Sequence, residues 1–290
     1  MELSSALKDI TFVIFDLETT GLKPFPGDQI CEIGAVKIKD GEVLGTFDQL
    51  VNPRCFISPK VAALTHITNE MVAKAPPLKE VLPGFVEFIK DTVLVAHNAP
   101  YDLSFLALAF EKENVIPPED NLVIDTLTLS RVLYSQYNHH NLDELRERFN
   151  IVYLHAHRGL SDALVTKDLF RIFLDKLQEK GITTLNGLIK YHGPFYRFPL
   201  QSFLLSGRYS LELVEELRNA AREQRPVFIE YKSTKEKGRV GRWVDPYFFL
   251  RYGEHFYLKG YCHLRQETRN FRLDRIVRFE PVREMAQPIG

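Results

Sequence analysis

The sequence predicts two folded parts: a mixed-sheet α/β domain, then a smaller, mostly antiparallel sheet or barrel led by one helix. Three observations carry this. The chain opens with strand-like runs joined by a hairpin signal, its middle alternates strand-like and helical patterns, and residues 211–290 are β-rich with well-marked turns.

In chain order, Phe12, Val13, Ile14 and Phe15 form a short continuous run of β-formers, the signature of a strand covered on both faces. QICEIGAVKI and EVLGTFDQLV are two further strands, joined around Lys39-Asp40-Gly41, where Asp-Gly is a strong hairpin signal. PPLKEVLPGFVEFIKD reads as a helix with Pro83 in its early turns, TVLVAH as a strand, YDLSFLALAFEKEN as a helix and NLVIDT as a strand. NLDELRERFN is a short helix opened by an Asn cap. SDALVTKDLFRIFLDKLQEKG places Leu164, Val165, Leu169, Ile172, Phe173 and Leu177 close to helical spacing and stops at Gly181.

HGPFYRFPLQSFLLSGRYS, with two prolines and two glycines, is irregular. The expected organisation is therefore a first domain over 1–192, a linker over 193–210 and a second domain over 211–290. In the second, LELVEELRNAAREQ is an amphipathic helix, and PVFIEYKS, GRWVDPYFFLRY, HFYLKGYCHL and TRNFRL are strands. Their turns are marked by Lys237-Gly238, Tyr252-Gly253 and a polar RQE stretch.

Composition sets the class. With 45% hydrophobic and 26% charged residues, the chain of 290 is ordinary for a soluble globular protein and not for a disordered one. The net charge of -1 announces no nucleic-acid partner by itself. Yet residues 211–290 carry 16 Lys and Arg against 12 Asp and Glu, while residues 1–210 carry 21 against 26, so the C-terminal part is the basic one. Cys31, Cys55 and Cys262 have spacings that fit neither a zinc site nor a disulfide framework. With no basic segment leading a long apolar run, the expectation is a cytoplasmic protein without membrane association.

FVIFDLETTGL poses the functional question, because strand side chains alternate and Asp16 and Glu18 must share a face. Two carboxylates side by side repel, and ionising both away from water is costly unless a cation lies between them. VAHNAPYDLSFL puts Asp102 at the start of a helix just past a strand, and HRGLSDALV puts Asp162 at the start of another. Each alone reads as a helix cap. Together the four acids lie at ends of elements that one sheet edge can collect. Oxygen-only ligands select hard cations, Mg²⁺ or Mn²⁺, and two such ions about 4 Å apart serve in-line displacement at phosphorus. His157, five residues before Asp162, is placed to take a proton from water, since an imidazole titrates near neutral pH. His155 and His97 are neighbours without that role, and His97 with Asn98 reads as organising its loop.

FDLETTGL, HNAPYDLSFL and HRGLSDA resemble the three motifs of DEDDh exonucleases, the family of bacterial proofreading subunits, oligoribonuclease and ribonuclease T. LTHITNEMVAKAPPL is similar to a further segment of that family, and the resemblance runs over roughly residues 10–178. It implies a ribonuclease-H-like fold and removal of nucleoside 5′-monophosphates from a 3′ end. By motif position Asp16, Glu18, Asp102 and Asp162 would hold two divalent ions, His157 would be the general base, and Thr19, Thr20, Leu22 and Phe105 would meet the terminal nucleotide. For Leu22 and Phe105, core packing is an equal alternative.

The segment from Phe228 to Val282 resembles a WYL domain through IEYKS, HFYLKGYCHLRQ and NFRLDRI, with Phe256 standing where the usual Trp would precede Tyr257 and Leu258. That resemblance implies a small Sm-like β-barrel binding nucleic acid or a nucleotide-like ligand. Arg265, Arg269, Arg272, Arg275 and Arg278 lie among aromatics, and arginine forks suit phosphates while aromatic faces stack bases. The expected ligand-site residues are Tyr231, His263, Arg265, Arg272 and Arg275; the alternative is a strand whose exposed arginines have no ligand.

The leading expectation is a metal-dependent 3′→5′ exonuclease on single-stranded DNA, with RNA as the alternative substrate and a homodimer allowed. A ligand-sensing regulator on a nuclease scaffold is the second; five retained costly polar groups argue against it. A haloacid dehalogenase type of phosphatase needs an Asp where Glu18 stands.

Overall fold

The computed structural model describes residues 2–22, 27–118, 121–152, 157–193, 195–198, 211–223, 225–232, 238–252 and 255–281. The expected turn positions Lys237 and Gly253, His155 and residues 199–210 of the expected linker lie outside these. The chain divides into two compact units, Met1–Pro199 and Leu200–Gly290.

In the first unit β1 (Thr11–Thr19), β2 (Ile30–Lys39) and β3 (Glu42–Leu50) form an antiparallel meander. Its β2–β3 turn places both Asp40 (φ 49) and Gly41 (φ 81) at positive φ, as a two-residue hairpin of right-handed twist demands. Two short helices follow, α1 (Pro59–Thr65), capped by Ser58, and α2 (Asn69–Ala73), capped by Thr68. Then come α3 (Leu78–Ile89), β4 (Val93–Ala96), α4 (Ala99–Glu113), β5 (Asn121–Asp125), α5 (Thr126–Leu133), α6 (Leu142–Arg148), α7 (Gly159–Glu179), α8 (Leu185–His192) and β6 (Tyr196–Phe198). The sheet order is β6-β5-β4-β1-β2-β3, with β1, β4 and β5 parallel and β6 antiparallel. This is the mixed α/β sheet that the sequence resemblance leads one to expect. The Asn141 side chain caps α6 by accepting from Glu144 N at 2.9 Å, as its sequence suggests.

Alternation along β1 splits the core into two layers. Val13, Phe15 and Leu17 pack on one face with Val81, Leu82 and Phe85 of α3 and Leu103 and Leu106 of α4. Phe12 and Ile14 pack on the other with Leu169, Phe170 and Phe173 of α7, and the rings of Phe12 and Phe170 meet edge to face at 5.1 Å. Asp16 and Glu18 continue the parity of Phe12 and Ile14. They therefore point to the α7 side.

Four helices and a strand depart from the sequence expectation. The helices α1, α2, α5 and α8 have no counterpart there, and β6, the three residues Tyr196–Phe198, lies inside the expected linker and pairs with β5.

The second unit comprises α9 (Leu211–Arg222) and the strands β7 (Val227–Lys232), β8 (Arg239–Tyr252), β9 (His255–Cys262), β10 (Glu267–Arg272) and β11 (Ile276–Pro281). All pair antiparallel in the order β10-β9-β8-β7-β11. A register shift between Pro246 and Phe248 bends β8, whose first half pairs with β7 and whose second half pairs with β9. Leu213, Leu217 and Ala220 of α9 close over Val227, Ile229, Val244, Leu258 and Phe271. Phe256 is 4% exposed in this core, so the position of the name-giving Trp serves packing here.

Candidate active site

The site begins where β1 and β2 run side by side. Register places Gly34 opposite Asp16 and Glu32 opposite Glu18. A Cβ on Gly34 would lie 1.9 Å from the Gly159 carbonyl carbon and the Leu160 nitrogen, so only glycine lets the first turn of α7 rest directly on the strand. That contact delivers Asp162, one turn into α7, to the strand-borne pair. Carboxylate oxygens of Asp16, Glu18 and Asp162 lie within 4.8 Å of one another, the one group among the described residues with the makings of a cation site. The helix N-terminus adds its partial positive charge beneath Asp162.

Asp102 reaches the same strand from the other layer. It is 2% exposed, and its Oδ1 accepts the Leu17 N–H at 3.1 Å, between Asp16 and Glu18. The start of α4 is held for this by Asp125, whose Oδ1 accepts from Asn98 N at 2.9 Å and Ala99 N at 3.2 Å, while Asn98 itself turns through the left-handed region (φ 64). His97 bridges Thr126 Oγ1 and the His140 carbonyl at 2.9 Å each, and burial lowers its pKa to about 4. It is a neutral structural imidazole, the loop organiser its sequence position suggests.

Electrostatics marks the acids as a set. Burial, then the charges of Asp102, Glu18, Asp162 and Glu32, push Asp16 well above the ordinary carboxylate range. Burial followed by Asp162 and Glu32 takes Glu18 to about 8. Burial, as the leading cause, takes Asp102 to about 8 against the downward pull of the Leu17 N–H, and Asp162 to about 6 against the charge and the N–H of His157. Carboxylates that repel and resist ionising together are a donor set that fits a hard cation, with oxygen ligands only and no sulfur among them.

The remaining candidates divide. His157 adopts φ 60 and donates its main-chain N–H to Asp162 Oδ2 at 3.1 Å. Thr19 and Thr20 are buried; the Tyr101 hydroxyl lies 2.8 Å from Thr19 Oγ1 and 3.2 Å from the Gly21 carbonyl, to which Thr19 also donates at 2.7 Å. Leu22 is 81% exposed, and core packing is thereby ruled out for it. Phe105 is the opposite case, 3% exposed in the core with its ring 5.1 Å from that of Tyr101, which it backs. Cys55, exposed, brings its Sγ to 3.7 Å from Thr20 Oγ1.

Sequence reading passed over Glu32, Arg158 and Tyr101. Glu32 sits in the apolar QICEIGAVKI run, where a lone acid looks solvent-facing, yet it is fully buried and bound by Arg158 and Gly159. Its pairing with Glu18 across two strands was the missing signal.

In the second unit the Tyr231 hydroxyl accepts from Arg272 N at 3.1 Å, the Arg272 guanidinium pairs with Asp274, and Arg275 follows in a 3-10 turn. His263 Nε2 lies 2.8 Å from Asp245 Oδ1 and, with Arg265, occupies the β9–β10 turn. Arg272 ends β10 at its far end, about 17 Å along the strand from that turn. The five expected ligand residues thus fall into two groups, one around Tyr231 and one at the turn.

Comparison with known proteins follows these two units. The family model described as Exonuclease matches residues 13–170, and the WYL domain model matches residues 212–281. A DNA polymerase III PolC-type of Caldanaerobacter subterraneus subsp. tengcongensis is 46% identical over 183 residues, covering 63% of this chain and 13% of that protein. The Staphylococcus aureus counterpart is 38% identical over 184 residues, again covering 63% of this chain and 13% of its own length. The chain thus spans only a small part of these relatives. Among solved structures, the nuclease domain of 3'hExo, a DEDDh family member bound to rAMP, superposes with a TM-score of 0.52 at 20% identity, over 61% of this chain and 96% of that one. E. coli exonuclease I in complex with a dA16 oligonucleotide gives 0.52 at 16% identity, over 87% and 55%. At such identities the likeness is one of fold.

Proposed function

Because the chain belongs to the exonuclease family whose model spans residues 13–170, with a WYL domain after it, we propose that it hydrolyses phosphodiester bonds at the 3′ end of single-stranded nucleic acid, releasing nucleoside 5′-monophosphates. The observation that carries this is the convergence of Asp16, Glu18 and Asp162 within 4.8 Å, with Asp102 buried against the same strand. Similarity to the PolC-type DNA polymerases supports DNA as the preferred strand.

The mutually repelling carboxylates, half-buried at Asp16, Glu18 and Asp162 and buried at Asp102, fit two divalent cations, Mg²⁺ or Mn²⁺, which would supply Lewis-acid stabilisation of charge at the scissile phosphate. The chain's own residues do the rest. His157 removes the proton from the attacking water, its main chain fixed to Asp162 so that base and carboxylate move as one. The Thr19–Tyr101–Gly21 hydrogen bonds hold the end of β1 in one shape for the terminal sugar. Leu22 offers an exposed apolar surface to the terminal base. Thr20 shares this edge, and Phe105 acts through Tyr101.

The WYL unit binds nucleic acid or a nucleotide-like ligand in this reading, through the Tyr231 group with Arg272 and Arg275 or through His263 and Arg265 at the turn. The test is to incubate the full chain with Mg²⁺ or Mn²⁺ and matched 5′-labelled single-stranded DNA and RNA. A ladder shortening from the 3′ end, stronger on DNA and absent with Asp16→Ala, is expected. Equal trimming by Asp16→Ala would overturn the proposal.

A further inference from the structure

We infer that Glu32 and Arg158 form a positioning clamp that sets His157 and Asp162 against Asp16 and Glu18; this rests on reading those residues as one exonuclease centre. Glu32 is fully buried, directly across the β1–β2 ladder from Glu18. Its Oε1 accepts from Arg158 Nε at 3.0 Å and Nη2 at 2.5 Å, and its Oε2 from Arg158 Nε at 3.1 Å and from Gly159 N at 2.7 Å. A carboxylate has about four lone-pair sites. Three N–H groups bind this one, the single Arg158 Nε hydrogen being shared between both oxygens, so this fifth acid is committed to holding the centre together.

The location of the clamp decides what it controls. Arg158 and Gly159 directly follow His157, whose own N–H is bonded to Asp162 Oδ2. The peptide bearing the general base is thus tied on one side to a centre carboxylate and on the other to the sheet. Gly34, two residues from Glu32, lies under Gly159 at a distance that admits no side chain. A simple staple of α7 to the sheet would be redundant, because Leu169, Phe170, Phe173 and Leu177 already bury that helix further along. Loss of the clamp leaves α7 docked and releases only its first turn. Arginine is needed for the two-pronged contact, which a lysine ammonium cannot reproduce.

The experiment compares the full-length chain with Arg158→Lys and Glu32→Gln, with Asp16→Ala as control. Two quantities are read: kcat and KM on a 5′-labelled oligonucleotide, and the Mn²⁺ concentration giving half-maximal thermal stabilisation of metal-stripped protein. Expected is a kcat lower by about 10–100-fold with a comparable rise in the Mn²⁺ midpoint, while KM changes little. A variant with a lowered melting temperature but kcat and Mn²⁺ midpoint within about twofold of the parent has lost a structural tie only, and the clamp is wrong. Should Glu32→Gln fail to fold, Arg158→Lys, at a side chain 32% exposed, reports the same quantities. Activity that survives Asp16→Ala sinks the exonuclease reading instead, and the Mn²⁺ midpoint still tests the clamp.

Discussion

Four acids that resist ionising side by side make the centre a load on the fold until a cation arrives. An acid whose folded-state pKa is raised holds its proton more tightly folded than unfolded. Its contribution to stability is full below the ordinary value near 4 and is lost as pH climbs through the folded values, about 6 for Asp162 and about 8 for Glu18 and Asp102. Metal-stripped protein is expected to lose more stability between pH 5.5 and pH 8.5 than Asp16→Asn does, and Mn²⁺ to raise its melting temperature more at pH 8.5 than at pH 5.5. Scanning calorimetry at the two pH values reads this, and a Mn²⁺ shift larger at pH 5.5 would contradict it. The acids themselves were legible in the sequence, because residues two apart on a strand share a face whatever surrounds them. Glu32 was not: one acid in an apolar run acquires meaning only from the strand beside it, and Phe105 shows the same limit in reverse, an aromatic in a motif that turns out to be core.

Between elements, the decisive contact is glycine on glycine. Gly34→Ala places a methyl where the Gly159 backbone lies, so α7 must lift. A cost of about 1–3 kcal/mol in stability is expected, together with loss of nuclease activity. Phe170→Ala, further along α7 and wholly in the core, should cost about 3–5 kcal/mol yet leave more of the activity of the folded fraction. Denaturant melts paired with single-turnover assays separate the two; an active Gly34→Ala would mean the close approach does not set the centre. The long elements were readable from periodicity, as α3, α4 and α7 are. The helices α1, α2, α5 and α8 escaped because five to eight residues give little repeating face, and their capping residues Ser58, Thr68, Asp125 and Thr184 are not followed by a charged helical run like the DELRER that made the equally short α6 legible behind Asn141. β6 escaped because three residues are too few to show the alternation of a strand.

For the whole molecule, each unit has its own core, so the proposed strand-binding role of the second can be tested by removing it. Deleting residues 207–290 is expected to leave trimming of short oligonucleotides nearly intact, to weaken binding of long ones, and to flatten the dependence of log affinity on log salt by about one for each phosphate that the second unit neutralises. Equal losses at every substrate length would count against the WYL unit holding the strand. The split itself was legible, since charge, composition and β-content all change near the same place. How the expected ligand residues of the second unit divide was not, because linear proximity of arginines says nothing of which end of a hairpin each occupies.

Two of the three thiols, Cys31 and Cys262, are sealed in the interior, whereas Cys55 is exposed with its sulfur against Thr20. The native chain is thus already prepared for single-site maleimide labelling. A fluorophore at that position would sit beside Thr20, one of the residues proposed to meet the terminal nucleotide, so a change in its emission on adding an oligonucleotide would test that placement without any engineered cysteine.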